Sequence, residues 1–502
     1  MKPFLPLVAL CLALQAHAEV RLPALFSDHM VLQQDTSVPV WGWAGAGEKV
    51  EVSIAGQTQT ATTGPDGKWQ VKLTPLKSAE PLEMTVKGIN TLTVKDVLVG
   101  EPWLCSGQSN MVMTVANSKD YEKERATATL PMIRMFTVAS GRSKEVKDDC
   151  VGSWIVCSPD TVGAYSAVAF YFGRELQQHR GCAVGIINSS AGGTLIESWL
   201  NTDAQRACVD LKPFFEQRDR LMREFDREAA EVTHQKSMAK WKLAADTAKA
   251  AGHPEPKQPS HPRSSFLGAM DVGGLFNGMI APLIPYAVRG IAWYQGESNA
   301  HPDRTRFYET QLRLLVRDMR ERWDTELPFV WVQMPNLNKK MPWPEIREAQ
   351  LKCLNLPKTG MAITIDAGES KDTHPKDKQT VGHRLAQWAL GHVYGEKVPS
   401  ISGPLPAHHE IRGSQIIVHF HHADGGLMSK GGELKGFLMA GANHAWKPAT
   451  ARIEGDTVVI ASPQVSKPVA VRYAWASDPV CNLFNAAGLP ASPFRTDDWQ
   501  TP

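Results

Sequence analysis

The order of hydrophobic and polar positions divides the chain into parts with different predicted structures. From residue 21 to about residue 95, short alternating segments such as 49–54 and 69–73 lie on either side of the turn-forming segment 64–67. Alternation with a period of two predicts strands that bury one face. We therefore predict a small β-sandwich-like module over residues 19–96. We interpret it as a structural brace rather than a carbohydrate-binding domain, because no cluster of aromatic positions suggests a sugar platform.

The pattern changes over residues 97–397, where apolar runs alternate with amphipathic helical segments. The runs predict strands at 183–187, 290–294, 329–333 and 361–365, and the amphipathic segments predict helices at 167–178, 308–323 and 380–394. Such alternation predicts an α/β domain with a mostly parallel sheet and helices on both faces. Ligands of such domains bind outside the carboxyl ends of the strands.

Two further regions complete the predicted organisation. Residues 206–262 carry charges at helical spacing and end in a proline-rich stretch at 254–259, which predicts an inserted helical hairpin with a solvated face. A surface excursion is the favoured interpretation, and a role in substrate access or subunit contact is the alternative. After residue 398, strand signals at 416–420, 458–460 and 469–474 predict a second β module that extends to residue 502.

The N-terminus has the pattern of a secretory signal. Residues 1–18 contain an early lysine, an apolar run and a final Ala16-His17-Ala18, which is typical of a cleavage site. A membrane anchor is the alternative, but the apolar run is shorter than the roughly 20 residues that span a bilayer. We expect export to a periplasm or the cell exterior. The formal net charge of +2 gives no electrostatic reason to expect a nucleic acid or membrane partner.

The cysteines do not indicate a metal site. Without Cys11 in the predicted signal, seven cysteines remain, so at least one is unpaired. Cys150 and Cys157 are close enough in sequence to form a local disulfide. No C-x-x-C pair is present, and we expect neither a metal nor a cofactor.

The strongest chemical signal is the sequence GQSNM at 107–111, which places Ser109 in a tight turn directly after the apolar run at 103–105. A serine hydroxyl needs a neighbouring base to act as a nucleophile at neutral pH. His374, in the sequence DTHP at 372–375, is the best candidate for that base. Because Met111 stands where the α/β-hydrolase turn has its second glycine, the turn belongs to another hydrolase design.

A carboxylate that orients His374 would complete a catalytic triad. Asp372 is the first choice, because a loop can fold back over two residues and bring the two side chains together. Asp366 and Glu369 are the alternatives.

The oxyanion that forms during acyl transfer needs preorganised donors. The backbones of Ser109 and Gly193 and the side-chain amide of Gln295 could supply them. We interpret Glu297 as a structural ion-pair or capping residue. The four polar segments that contain Ser109, Gly193, Gln295 and His374 each follow a predicted strand, so they are expected to meet at one edge of the sheet.

These motifs resemble those of a known family. The quoted segments at 107–111 and 372–375, GGTLIESW at 192–199 and WYQGESN at 293–299 are similar to the motif series of the sialate O-acetylesterases, in the SGNH-hydrolase superfamily. The flanking segments LFSDHMVLQ at 25–33 and GLPASPFR at 488–495 also resemble the family's termini, so the resemblance covers nearly the whole mature chain.

The resemblance implies a flavodoxin-like three-layer catalytic domain beside β modules, and hydrolysis of acetyl esters on sugar hydroxyls without a metal. It assigns Ser109 as nucleophile, His374 as base, Asp372 as orienting acid, and Gly193 and Gln295 as oxyanion donors. Many superfamily members have asparagine at the position of Gln295. They also have a D-x-x-H spacing, whereas Asp372 and His374 are separated by one residue.

We therefore expect an exported esterase that acts on O-acetylated sialic acids. An esterase for acetylated xylan or another glycan is the second hypothesis, because a fold and a triad do not determine the alcohol that is released. A carbohydrate-binding protein without turnover is the third hypothesis, which the presence of both Ser109 and His374 disfavours.

Overall fold

The structure, a computed structural model, describes residues 19–499, and the predicted signal at 1–18 lies outside the described residues. The chain has a mixed α/β fold with one large central sheet and additional β-sheet regions. Among residues 19–499, no helix is both long and apolar enough to cross a membrane. All seven cysteines of this range are free thiols, Cys150 and Cys157 included.

The first half of the chain contains most of the strands that build the central sheet. The strands up to residue 190 are β1 (Val31–Gln33), β2 (Val38–Trp43), β3 (Lys49–Ile54), β4 (Gln57–Thr62), β5 (Lys68–Leu73), β6 (Leu82–Lys87), β7 (Thr91–Gly107), β8 (Leu130–Thr137), β9 (Trp154–Cys157) and β10 (Ala183–Ser190).

Three strands of the second half complete the central sheet, and the others form the C-terminal sheets. They are β11 (Gly290–Tyr294), β12 (Phe329–Val332), β13 (Thr359–Ala362), β14 (Leu405–Arg412), β15 (Gln415–His421), β16 (Leu427–Ser429), β17 (Phe437–Gly441), β18 (Lys447–Pro448), β19 (Thr450–Glu454), β20 (Thr457–Ala461), β21 (Pro468–Tyr473), β22 (Leu483–Asn485) and β23 (Phe494–Arg495).

The α-helices lie between residues 109 and 388. They are α1 (Ser109–Val112), α2 (Tyr121–Ala126), α3 (Ala167–Arg180), α4 (Thr202–Ala207), α5 (Lys212–Glu224), α6 (Arg227–Ala250), α7 (Pro262–Ala269), α8 (Thr305–Arg322), α9 (Trp343–Lys352) and α10 (Lys378–Trp388).

The central sheet has the strand order β13-β12-β11-β7-β10-β8-β9. All neighbours are parallel except β8 and β9, which pair antiparallel. The carboxyl ends of β7, β10, β11, β12 and β13 therefore lie at one edge of the sheet. This edge carries the polar motifs identified in the sequence.

Strand β7 joins the N-terminal part of the chain to the nucleophile turn. Its 17 residues begin in an antiparallel pairing with β6 and continue beside β1, where Val31 is opposite Leu98. Farther along, β7 is the strand between β10 and β11. The strand runs through residue 96, so the N-terminal sheet and the central sheet share one continuous strand that ends two residues before Ser109.

Both faces of the central sheet are covered by helices. Along β7, Trp103 and Cys105 pack into the core that includes α3 and α10, whereas Leu104 packs into the core that includes α8 and α9. Such strands, buried on both faces, are typical of parallel sheets and explain their nearly continuous apolar sequence.

The region predicted as a helical insertion contains α5 and α6, and α7 follows it. Helix α6 is 24 residues long and buries only Ala230 and Ala245. Its charged side chains are mainly exposed, as the sequence predicts for a solvated surface helix. Helix α7, in contrast, returns the chain to the edge of the central sheet near the glycine loop after β10.

The C-terminal part contains two four-stranded sheets, with the orders β14-β15-β20-β19 and β18-β17-β21-β23, and the small pair β16-β22. The two larger sheets share one hydrophobic core, to which Ile416, Val458, Met439 and Val471 contribute. Alternating residues of β15 and β20 point into this core, which accounts for the strand patterns seen in the sequence.

Candidate active site

The nucleophile turn begins where β7 ends. Gly107 has a φ of 142°, and a side chain there would clash with the backbone oxygen of Tyr294 at 2.1 Å. Only glycine allows β7 and β11 to lie this close at the turn. Gln108 then continues in an extended conformation, and Ser109 opens the short helix α1.

His374 lies directly beside the serine. Its Nε2 is 2.8 Å from Ser109 Oγ, a hydrogen-bond distance at which the imidazole can accept the hydroxyl proton. The loop that carries His374 follows β13, so residues far apart in the chain meet at the carboxyl edge of the sheet. The side chain of His374 is 46% exposed, which leaves room for a substrate.

Asp372 is the carboxylate next to the His374 ring. Its Oδ1 accepts a hydrogen bond from the backbone N–H of His374 at 2.8 Å and lies 3.8 Å from Nδ1. Within residues 19–499, it is the only carboxylate within 4.0 Å of this ring. The loop therefore folds back on itself between the two residues.

The two alternative acids have other partners. Asp366 accepts hydrogen bonds from both terminal nitrogens of Arg384, at 2.6 and 2.8 Å. Glu369 accepts the backbone N–H of Lys376 at 2.8 Å. Both carboxylates thus stabilise the loop around His374 rather than its imidazole.

The glycine pair after β10 forms one wall of the site. A Cβ built on Gly192 would lie 3.6 Å from the Cβ of Ser109, so a side chain at this position would contact the serine. Gly193 has a φ of 67°, and the space beside it is open. The neighbouring Ala191 donates its N–H to the Gly107 oxygen at 3.0 Å, which fixes the glycine loop against the nucleophile turn.

Gln295 connects three of the loops at this edge. Its buried Nε2 donates to Asn299 Oδ1 at 2.7 Å and to the Thr194 oxygen at 3.1 Å, and it lies 3.3 Å from Gln108 Oε1. Both amide hydrogens therefore have acceptors within the protein in this conformation. The structure places Gln295 as a link between the loops, and its role as an oxyanion donor stays a prediction.

A buried polar network lies behind Ser109, and it joins Glu297 to two residues that the sequence did not single out, Asn110 and Lys378. Asn110 Nδ2 donates to Glu297 Oε1 at 2.5 Å and to the backbone oxygen of Thr373 at 3.1 Å. Its Oδ1 accepts a hydrogen bond from Lys378 Nζ at 2.5 Å. Through these contacts Asn110 ties the nucleophile turn to the residue before His374.

Burial shifts both ionisable members of this network toward their neutral forms. Desolvation raises the pKa of Glu297 above its usual value, although the hydrogen bond from Asn110 opposes the shift. Desolvation also lowers the pKa of Lys378 to about 8, against the attraction of Glu297 and nearby carboxylates. The one signal in the sequence was the position of Asn110 directly after Ser109. Lys378 gives no such signal, because a lysine at the start of a helix is usually exposed.

The described part of the chain contains no ready-made cation site. Within residues 19–499, no three side chains of histidine, cysteine, aspartate or glutamate are arranged so that they could hold a metal ion. The chemistry that the site itself displays is a serine hydroxyl, an imidazole and a neighbouring carboxylate. With glycine backbone beside the nucleophile, at the carboxyl edge of a parallel sheet, these groups are those of a serine hydrolase.

Comparisons with known proteins identify the family within the serine hydrolases. Residues 275–392 match the family described as carbohydrate esterase, sialic acid-specific acetylesterase. The sialate O-acetylesterase of Mus musculus is 30% identical over 527 residues, which cover 94% of each chain. The human sialate O-acetylesterase is also 30% identical, over 94% of this chain and 92% of the human protein.

A solved structure agrees with these sequence matches. The crystal structure of a carbohydrate acetylesterase from Xanthomonas citri has a TM-score of 0.79 and 33% sequence identity, and the match covers 96% of this chain and all of that one. The chain therefore belongs to the sialate O-acetylesterase family of carbohydrate esterases, and it is a carboxylic ester hydrolase.

Proposed function

We propose that the protein is a sialate O-acetylesterase, which removes acetyl groups from the hydroxyls of O-acetylated sialic acids. The observation that carries this proposal is the 2.8 Å contact between Ser109 Oγ and His374 Nε2. It supplies an activated nucleophile in a chain whose relatives from mouse and human are sialate O-acetylesterases. No cofactor is needed for this reaction.

In the proposed reaction, Ser109 Oγ attacks the acetyl carbonyl while His374 takes the hydroxyl proton. Collapse of the tetrahedral intermediate breaks the ester bond, and His374 gives the proton to the departing sugar oxygen. Water, deprotonated by His374, then attacks the acetyl-serine. Cleavage of the bond between Ser109 Oγ and the acetyl carbon releases acetate, and His374 returns the proton to Ser109 Oγ. Asp372 holds the imidazole and stabilises its charged form, which its position 3.8 Å from Nδ1 supports.

The proposed oxyanion donors are the backbone N–H groups of Ser109 and Gly193, with the amide of Gln295 as the third. Ser109 is the first residue of α1, so its N–H has no acceptor within the helix. Gly193 N makes no hydrogen bond to the backbone of residues 19–499. Gln295 would contribute if its amide turned from Thr194 toward the substrate.

We further propose that residues 97–397 form a flavodoxin-like, three-layer SGNH hydrolase domain between two β-sandwich-like modules, at 19–96 and 398–502. The strand order β10-β7-β11-β12-β13 supports this, because numbering these strands along the chain gives the flavodoxin-like order 2-1-3-4-5. The core shared by the two large C-terminal sheets supports the second module.

Export to the periplasm or the medium is also part of the proposal, and it rests on the signal-like sequence at 1–18. Expression of the full chain in a Gram-negative host, followed by fractionation and N-terminal sequencing, tests it. A mature protein that begins near Glu19 in the periplasm or medium is expected. An uncleaved protein in the cytoplasm would contradict it.

An esterase for a different acetylated glycan is the second candidate function. It is favoured by the similarity to the Xanthomonas citri enzyme, which is described as a carbohydrate acetylesterase without reference to sialic acid. Acetate release should be compared on O-acetylated mucin sialic acids and on acetylated xylan, with Ser109→Ala as the inactive control. Faster release from the sialic acids supports the proposed function, and release from xylan alone would replace it.

Covalent labelling separates both esterases from a carbohydrate-binding protein without turnover. A fluorophosphonate reacts quickly only with an activated serine, so rapid modification of Ser109 is expected. His374→Ala should slow this labelling by removing the base. An unlabelled Ser109 in folded protein would favour the binding protein.

A further inference from the structure

A cleft of about 570 Å³ opens beside the nucleophile turn. Gly192 and Gly193 line it, and a Cβ built on Gly192 would lie 3.6 Å from the Cβ of Ser109. Helix α7 also lines the cleft, through Ser264 and Ser265 among others. A sugar whose acetyl group reaches Ser109 can therefore occupy this cleft.

The permanent charges among the residues that line the cleft are those of two arginines. Its ionisable residues are Arg142, His301 and Arg304, and none of its lining side chains, all within residues 19–499, is a carboxylate. The remaining polar side chains are serine hydroxyls, which can bind sugar hydroxyl groups. A hydroxyl-rich cleft with cationic walls is suited to an acidic sugar.

The guanidinium group of Arg304 is bound by other residues of the protein. Its Nη1 pairs with the fully buried Glu197 at 2.5 Å, and its Nη2 donates to the backbone oxygen of Ala269 at 3.0 Å. Glu197 in turn accepts a hydrogen bond from Asn299, a partner of Gln295. Arg304 thus connects α7 to the catalytic loops and holds the cleft in shape.

Only one of the three guanidinium nitrogens of Arg142 donates a hydrogen bond within residues 19–499. Its Nε donates to Asp271 Oδ2 at 3.0 Å, which orients the guanidinium plane. The two terminal nitrogens make no hydrogen bond to any of residues 19–499, and the side chain is 43% exposed. Two parallel N–H groups of an oriented guanidinium match the two oxygens of a carboxylate.

We propose that Arg142 binds the carboxylate of an acidic sugar in this cleft and makes the esterase selective for acidic over neutral acetylated sugars. This inference rests on the proposed function and names the group that would recognise its substrate. The proposal also places α7 beside the substrate, which agrees with the alternative interpretation of the neighbouring insertion, a role in substrate access.

The test compares Arg142→Gln with the native protein on three acetyl esters: an O-acetylated sialic acid, the same sugar with its carboxyl group methylated, and an aryl acetate. Arg142→Gln should raise KM for the acidic sugar about 10- to 100-fold, the usual range for loss of a charge-assisted contact. Acetate release from the methylated sugar and from the aryl acetate should change by less than about threefold. Arg142→Lys should recover part of the affinity, because it keeps the charge without the bidentate geometry.

Arg452→Gln is the matched control, since Arg452 is an exposed arginine of the C-terminal β module. If Arg142→Gln left KM for the acidic sugar unchanged, or raised KM equally for the acidic and methylated sugars, the role of Arg142 would be overturned. The proposed function would not be affected. A native protein that deacetylates neutral glycans but not sialic acids would overturn both this inference and the proposed function.

Discussion

Lys378 Nζ lies 2.5 Å from Oδ1 of Asn110, the residue that follows the proposed nucleophile Ser109. The lysine is fully buried, and its ammonium also lies 5.4 Å from the ring centre of Tyr294. Because Asn110 binds the backbone of Thr373 as well, Lys378 acts on the Ser109–His374 geometry through one amide. We regard it as a positioning residue.

The pH dependence of the reaction should report this role. Burial lowers the pKa of Lys378 to about 8, so the side chain is charged below this pH and neutral above it. The charged form donates the stronger hydrogen bond. We expect kcat/KM of the native enzyme on an aryl acetate to decline as the pH rises through about 8.

Lys378→Met tests the assignment of that decline. The variant should lose about tenfold or more in kcat at neutral pH, with little change in KM, and its activity should no longer decline near pH 8. Lys376→Met, an exposed substitution just before α10, should retain the native profile. If the activity of Lys378→Met still declined near pH 8, the decline would be due to another group.

Asp372 should contribute far more to the rate than the neighbouring carboxylates. Asp372→Asn is expected to lower kcat by about 10³- to 10⁴-fold, the usual cost of removing the acid that fixes the histidine tautomer. Glu369→Gln should stay within about threefold, since Glu369 accepts the Lys376 N–H and a glutamine oxygen can do the same. Steady-state kinetics on an aryl acetate measures both, and the reverse order of effects would make Glu369 the triad acid.

The Ser109–His374 pair could be predicted because both residues stand in short polar motifs after apolar strands. The strand predicted at 290–294 coincides with β11, and that predicted at 183–187 lies within β10. Parallel strands place such motifs at one edge whatever their separation along the chain. Local sequence was therefore enough to predict that Ser109 and His374 meet at this edge.

Other elements depend on contacts that local patterns do not reveal. Strand β8 contains Pro131 and the buried Arg134, which interrupt an apolar pattern. Arg134 is tolerated because its guanidinium donates to the backbone oxygen and the carboxylate of Asp96. Glu297 was singled out as a structural residue, but its partners Asn110 and Lys378 were missed for the same reason, since a buried lysine differs from a surface lysine only in its tertiary partners.

Gln295 offers a test of whether a linking residue also stabilises the oxyanion. Gln295→Leu should lower kcat about 10²- to 10³-fold without a matching rise in KM, if its amide binds the transition state. Gln311→Leu is the matched control, because Gln311 is an equally buried glutamine on α8 away from Ser109. Equal, small losses of activity in the two variants would leave Gln295 with the linking role alone.

Arg347 should be the most sensitive side chain at the junction between the catalytic and C-terminal regions. It is fully buried on α9 and donates to four backbone oxygens, those of Met334 and Pro335 after β12 and those of Ala476 and Ser477 after β21. No carboxylate of residues 19–499 lies within 4.0 Å of it, so carbonyl dipoles alone compensate for its desolvation.

Arg347→Met would leave these four oxygens without their donor in a buried place. Each buried acceptor that loses its partner costs about 1–3 kcal/mol, so we expect a loss of at least about 3 kcal/mol in the free energy of unfolding. Arg452→Met should change it by less than about 1 kcal/mol, because Arg452 and Glu454 form an exposed pair. Urea unfolding of both variants measures the difference, and equal transition midpoints would show that the junction does not depend on Arg347.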